Sequence, residues 1–255
     1  MSESVSTETS APAGAPAASP AASPISKRDA RRQVRQVMRS EAQPGTVRLL
    51  VLAAGPDDYA GVDLDTGILR RIRLSAPDGS LFAGLSASAF DVIEARPAVD
   101  PQQDDLAQPE AITVEAEPVV IGAFRGRKAR RAIDKIVSPG GGDLLGFPGN
   151  SAPYWEFRGM QPSLALVAPT AGPVLFRRRG DGAVWARFGW SRSDNWLPVE
   201  DSHACRILDA SRRSRLAGNA LAEALGFRPR YLVAAVSRSR GGYCYKTVSA
   251  LLPRP

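Results

Sequence analysis

From Thr46 onward the chain breaks into short strand-like runs separated by turn signals, and this texture limits the fold more than any other feature of its 255 residues. Runs of four to eight residues with frequent Gly, Asp and Pro punctuation favour antiparallel hairpins and argue against a doubly wound parallel sheet. Residues 47–53 read as a buried strand, residues 59–64 and 68–74 as a hairpin across Asp65-Thr66-Gly67, and residues 89–95 as a further strand. Residues 98–110 are acidic and Gln-rich and read as an exposed loop. The strand at residues 112–124 is interrupted by Pro118, which suits an edge or a bend.

Further along, residues 125–137 read as a basic helix with Ala129, Ala132, Ile133 and Ile136 on one side, ended by SPGGGD. Strands are expected at residues 164–168, 174–179 and 184–190, with another near 206–208. A helix is expected over residues 211–225, where Leu216, Ala220, Leu221 and Leu225 keep helical spacing and Gly226 stands at the stop. A last hairpin joins residues 231–236 and 243–251.

The fold expected is therefore α+β, dominated by antiparallel β, with two small barrel-like or sandwich-like units. Residues 45–124 form an acidic β unit, 125–160 a basic helix and Gly/Pro-rich connection, and 161–255 a basic β unit. Residues 1–24 are mostly Ala, Pro, Ser and Thr and read as a disordered tail. Residues 25–40 read as a basic helical arm with Val34, Val37 and Met38 on its apolar stripe.

An internal repeat is visible at an offset of 115 residues. Leu49 to Ala53 falls on Leu164 to Ala168, Gly67 on Gly182, and Val92 to Ala95 on Ile207 to Ala210. Pattern matches here rather than identity, so two units of similar strand spacing account for it as well as duplication does.

The net charge of +7 is unevenly placed. Residues 1–120 carry 11 basic and 17 acidic groups, net −6, and residues 121–255 carry 22 and 9, net +13. Such asymmetry fits a half that binds a polyanion, or two halves that attract each other. Only four lysines stand among the 33 basic residues, a bias that composition alone can produce, so arginine usage says little by itself.

The stretch LFRRRGDGAVWARFGW, residues 175–190, is the candidate site. Taken as a hairpin with Asp181-Gly182 as a two-residue turn, it sets Arg178 opposite Trp185 and Phe176 opposite Arg187. Side chains alternate, so Phe176, Arg178, Trp185 and Arg187 share one face, while Leu175, Val184, Phe188 and Trp190 share the other. Alternating cations and rings can stack bases and meet phosphates, or can satisfy each other as surface cation–π pairs. A second basic cluster comprises Arg125, Arg127, Lys128, Arg130 and Arg131, and Arg212, Arg213 and Arg215 extend it if the later helix lies alongside.

The residues lack a complete catalytic, metal or nucleotide motif. Gly140, Gly141 and Gly142 are followed by no Gly-Lys-Ser/Thr, and the single histidine, His203, sits two residues from Cys205 without a supporting signature. Two cysteines, Cys205 and Cys244, make no disulfide framework, no apolar run reaches membrane-spanning length, and a cytoplasmic location is the expectation. Tyr154 to Arg158 reads as a core strand end or a second aromatic contact. The expected function is non-enzymatic nucleic-acid binding or regulation by the basic second half, without a cofactor. The alternative is an adaptor for a protein partner, and an enzyme whose site is assembled from distant residues is a third reading.

Overall fold

The computed structural model describes residues 45–55, 57–74, 87–98, 105–114, 116–211 and 213–255, and the side chain of Lys128 is not described. The tail at 1–24, the arm at 25–40 and residues 99–104 of the acidic loop lie outside the described residues.

The first β unit is a six-stranded sheet built from β1 (Val47–Ala54), β2 (Asp58–Asp63), β3 (Leu69–Leu74), β4 (Asp91–Ala95), β5 (Ala111–Val114) and β6 (Val119–Ala123), in the order β5-β3-β2-β1-β4-β6. Pro118 does break the run expected over 112–124, and the two pieces land on opposite edges of the sheet. Five residues reach at most about 17 Å. Five flat inter-strand gaps would span about 24 Å, so the sheet must curl. It does so far enough that Pro97 bridges Val114 and the Ala98 N–H donates to the Thr113 carbonyl at 2.9 Å. The strands thus close in the order β1-β2-β3-β5-β4, with β3 and β5 parallel and β6 added outside. Gly61 is required at the β1–β2 contact, because a Cβ there would lie 2.1 Å from the Leu50 carbonyl oxygen.

The second unit repeats that order. Its first strand is bent into β8 (Leu164–Val167), which pairs with β13 (Tyr231–Val236), and β9 (Ala171–Arg177), which pairs with β10 (Val184–Trp190). β10 pairs with β11 (Ser193–Pro198), and β13 pairs with β14 (Tyr243–Leu252). Just beyond β11, Val199 bridges Val248 of β14 in parallel, the counterpart of the β3–β5 contact. Where β11 and β14 diverge, β7 (Ser151–Pro153) pairs with β14. Asn150 spans the gap: its amide donates to the Trp196 carbonyl and its own carbonyl accepts the Lys246 N–H, each at 2.8 Å.

Both first strands are buried on two faces, which explains their continuous apolar spelling. Leu49 and Val51 point into the first barrel, whereas Leu50 and Leu52 pack in a core shared with Leu164, Leu166, Tyr231, Val233, Ala235 and Leu252. Ala165 and Val167 point into the second barrel beside Leu175, Phe188 and Leu197. The two barrels therefore stand back to back across one apolar layer. Helix α1 (Arg127–Asp134) completes it by burying Ala129 and Ile133, with the Tyr231 hydroxyl donating to Asp134 at 2.9 Å.

Two local expectations are corrected. The strand expected near 206–208 is helix α2 (Ser202–Ala210), because Asp201 caps it by accepting from the His203 and Ala204 N–H groups. The helix expected over 211–225 is shorter: Arg215–Ala217 forms β12 on the edge of β9, and only Gly218–Leu225 is helical (α3), ended by Gly226 at φ +75. Hydrogen bonding to an open sheet edge overrides helical spacing there. The common strand order supports the repeat, but the gap-free offset holds only for the first strand. Gly67 joins second and third strands whereas Gly182 joins first and second, and the match of 92–95 to 207–210 sets a strand against a helix.

Candidate nucleic-acid interface

The β9–β10 hairpin differs in register from the two-residue turn. The loop has four residues, 179–182, with the Arg178 N–H donating to Ala183 O at 2.9 Å and the Gly182 N–H to Arg178 O at 3.2 Å. Gly180 and Gly182 adopt φ of 110 and 69, and the Asp181 carboxylate accepts the Ala183 N–H at 3.1 Å. Trp185 consequently faces Phe176, and Arg187 faces Val174. The shift is by two residues, so parity is kept and Phe176, Arg178, Trp185 and Arg187 remain on one outward face. Leu175, Val184, Phe188 and Trp190 are buried on the other.

Neighbouring strands widen this face. Trp196 of β11 pairs with Arg187, and Arg215 of β12 pairs with Phe176. Sequence alone does not point to either on this face: the segment SRSDNWLP has weak strand character, although Asp194 and Trp196 alternate as an outward face would, and the spacing around Arg215 favours a helix.

Rings and cations on this face engage one another. The Arg178 guanidinium lies 4.9 Å from the centre of the Trp185 ring, and that of Arg187 lies 5.0 Å from Trp196. Phe176 meets Trp196 edge-on at 5.4 Å. Acids complete the pattern: Arg178 pairs with Asp181 at 2.7 Å, and Arg187 pairs with Asp194 at 2.8 Å while Asp194 also accepts the Trp196 indole N–H at 3.1 Å. Arg177 pairs with Asp209. Arg215 has no ion pair among the described residues, and the indole nitrogen of Trp185 is buried without a partner. An incoming phosphate can exchange for Asp181 or Asp194, and an incoming base for a guanidinium, with little reorganisation of the sheet.

The second basic cluster lies elsewhere. Arg127 and Arg131 are exposed on α1, Arg130 is half-buried with its Nε unbonded, and Arg125 precedes the helix. That helix belongs to the inter-barrel core rather than to the β9–β11 sheet, and Arg125 lines a cleft of about 820 Å³ with His203, Arg206 and Phe227. Arg215 joins the tile, so the extended stripe does not assemble from it. Arg212 is outside the described residues.

His203 and Cys205 stand two apart on α2, where side chains so spaced do not face each other. Burial raises the Cys205 thiol above its usual range, helped by Asp201 and Asp209, the reverse of activation. Burial, with Asp105, pushes Cys244 up to about 11, and both thiols are free. Among the described residues no three His, Cys, Asp or Glu side chains gather to hold a metal ion, and no helix is long and apolar enough to cross a membrane. Tyr154 to Arg158 divides: Phe157 is buried against Phe147 at 5.5 Å, whereas Trp155 is 63% exposed.

Compared with known proteins, the chain matches no family model and no curated sequence, so the reading of this surface stands on its own residues.

Proposed function

We propose that the second barrel binds nucleic acid on the outward face of β9, β10 and β11, as a non-enzymatic binding or regulatory protein. One observation carries this reading: Phe176, Trp185 and Trp196 alternate with Arg178, Arg187 and Arg215 on a single sheet face. Fold-level analogy adds support, since partly open five-stranded barrels such as OB folds bind oligonucleotides on their second and third strands and adjoining loops. Here those strands are β10 and β11, and the adjoining loops supply Arg178, Arg179, Arg238 and Arg240.

Tryptophan fluorescence titrated with short single-stranded DNA and RNA at low salt tests it. Saturable binding should weaken steeply with added salt, and Trp185→Ala together with Arg187→Ala should cost roughly tenfold or more. Absence of binding to any single- or double-stranded oligonucleotide at low salt overturns the proposal. A protein partner is the second reading, supported by the acids already paired with Arg178 and Arg187. It anticipates no oligonucleotide affinity.

A further inference from the structure

Two of the tile's rings carry a stacked guanidinium, whereas a second set of rings on the same barrel carries none among the described residues. Trp196 lies beneath Arg187 and Trp185 beneath Arg178. On β14, Tyr243 and Tyr245 point to one side by strand alternation and are 43% and 39% exposed. Trp155, in the turn after β7, meets Tyr243 at 6.2 Å and 61°. No guanidinium stacks on these three rings among the described residues.

Local structure holds this group in place before any ligand arrives. Pro153 pairs with Tyr243 and Ser151 with Tyr245 across β7 and β14. The Tyr154 N–H donates to the Gly242 carbonyl at 2.8 Å, and Arg158 donates to the Trp155 carbonyl. A backbone held in this way keeps the three residues side by side, so less order has to be created when a ligand stacks on them.

Charge identifies the ligand. The β13–β14 loop, residues 237–242, sets Arg240 opposite Tyr243, and Arg240 is largely exposed with Glu200 at 3.8 Å. Asn150, bonded to both Trp196 and Lys246, places β7 between the tile and the tyrosines, so the two aromatic groups follow one another across the barrel. A duplex keeps its bases stacked inside, while a single strand can lay successive unpaired bases on successive rings.

Resting on the nucleic-acid reading above, we infer that the barrel's ligand is single-stranded and that Trp155, Tyr243 and Tyr245 form a stacking platform on which no guanidinium sits among the described residues, with Arg240 meeting the phosphates. The test titrates the full chain with a thymidine oligonucleotide of about 12 nucleotides and with the duplex of equal length. The single strand should bind about tenfold more tightly than the duplex, and Trp155→Ala or Tyr243→Ala should weaken it by about tenfold, with Trp155→Phe restoring most of the loss. Trp155 is exposed, and circular dichroism of each variant verifies the fold. If the single strand binds and Trp185→Ala weakens it while Trp155→Ala and Tyr243→Ala do not, the platform is overturned and the function stands. Equal affinity for duplex overturns the single-strand inference. No binding of either overturns both.

Discussion

The two barrels share a strand order and use the corresponding face in opposite ways. In the first, the outward side of β2 presents Ala60 and Val62 to the inter-barrel core, and Arg71 of β3 is buried, donating to Asp58 at 2.8 Å and to the Val236 carbonyl of the second barrel at 3.3 Å. In the second, the outward side of β10 and β11 carries Trp185, Arg187 and Trp196 into solvent-accessible space. One architecture thus yields a docking face and a free face. The docked face is apolar; on the free one the arginines and rings collect.

Charge follows the same division. Among the described residues the first-barrel ion pairs lie within their own unit: Arg48–Asp65, Arg70–Asp63, Arg71–Asp58, Arg71–Glu110 and Arg73–Asp105. Among the described residues no ion pair joins the acidic unit to the basic one. Contact between them is made instead by apolar packing and hydrogen bonds, including Arg71 and Gln108 to the Val236 carbonyl at 3.3 and 2.6 Å and Ser163 to Glu110.

If the barrels are one cooperative body, damage to the shared layer should be felt by both. Leu166→Ala removes a fully buried side chain from it and should cost about 2–5 kcal/mol in a single denaturant transition. Two separated transitions in the wild-type chain would break this comparison.

Buried charge sharpens the contrast. Burial pushes the Asp63 carboxyl of the first barrel up, but N–H groups from Asp65 and Thr66 and the Arg70 guanidinium outweigh it and hold it below its usual value. Lys246 of the second barrel has one carbonyl, Phe147 O at 2.5 Å, and the Phe147 ring at 4.1 Å. Burial therefore drives its amine down from 10.5 to about 8, with Asp143 opposing. Below pH 8 the amine is charged folded and unfolded, and the full desolvation cost applies. Between about 8 and 10.5 the folded state releases its proton first, so stability rises with pH, and above 10.5 the difference is gone. Lys246→Met should accordingly stabilise by roughly 1–3 kcal/mol at neutral pH, with the gain fading across that window. Denaturation curves at several pH values measure it, and a gain that does not fade refutes the assignment.

The smallest effect concerns the free face. Asp194→Asn releases Arg187 from an exposed ion pair, so stability should change by under about 1 kcal/mol. Oligonucleotide affinity should rise by about threefold, because the guanidinium no longer has to leave a carboxylate. A loss of affinity would show that Asp194 positions Arg187 rather than competing for it.

Much of this was legible along the chain. The runs at 47–53 and 164–168 announce strands buried on both sides, and period-two alternation put Phe176, Arg178, Trp185 and Arg187 on one face even with the register wrong by two. What escaped notice depended on partners distant in sequence. β11 has poor strand formers and exists because β10 offers it an edge; Arg215 left its expected helix because β9 had a free edge; Trp155 and Tyr243, nearly 90 residues apart, meet only because β7 pairs with β14.

The sequence by itself determined the antiparallel class, the strand-rich units and the sign of their charge, since these follow from local periodicity, turn residues and composition. Tertiary structure alone decided which unit's outward face stays open. That depends on how two similar barrels pack, and packing responds to the area that both surfaces bury together rather than to the pattern of either one.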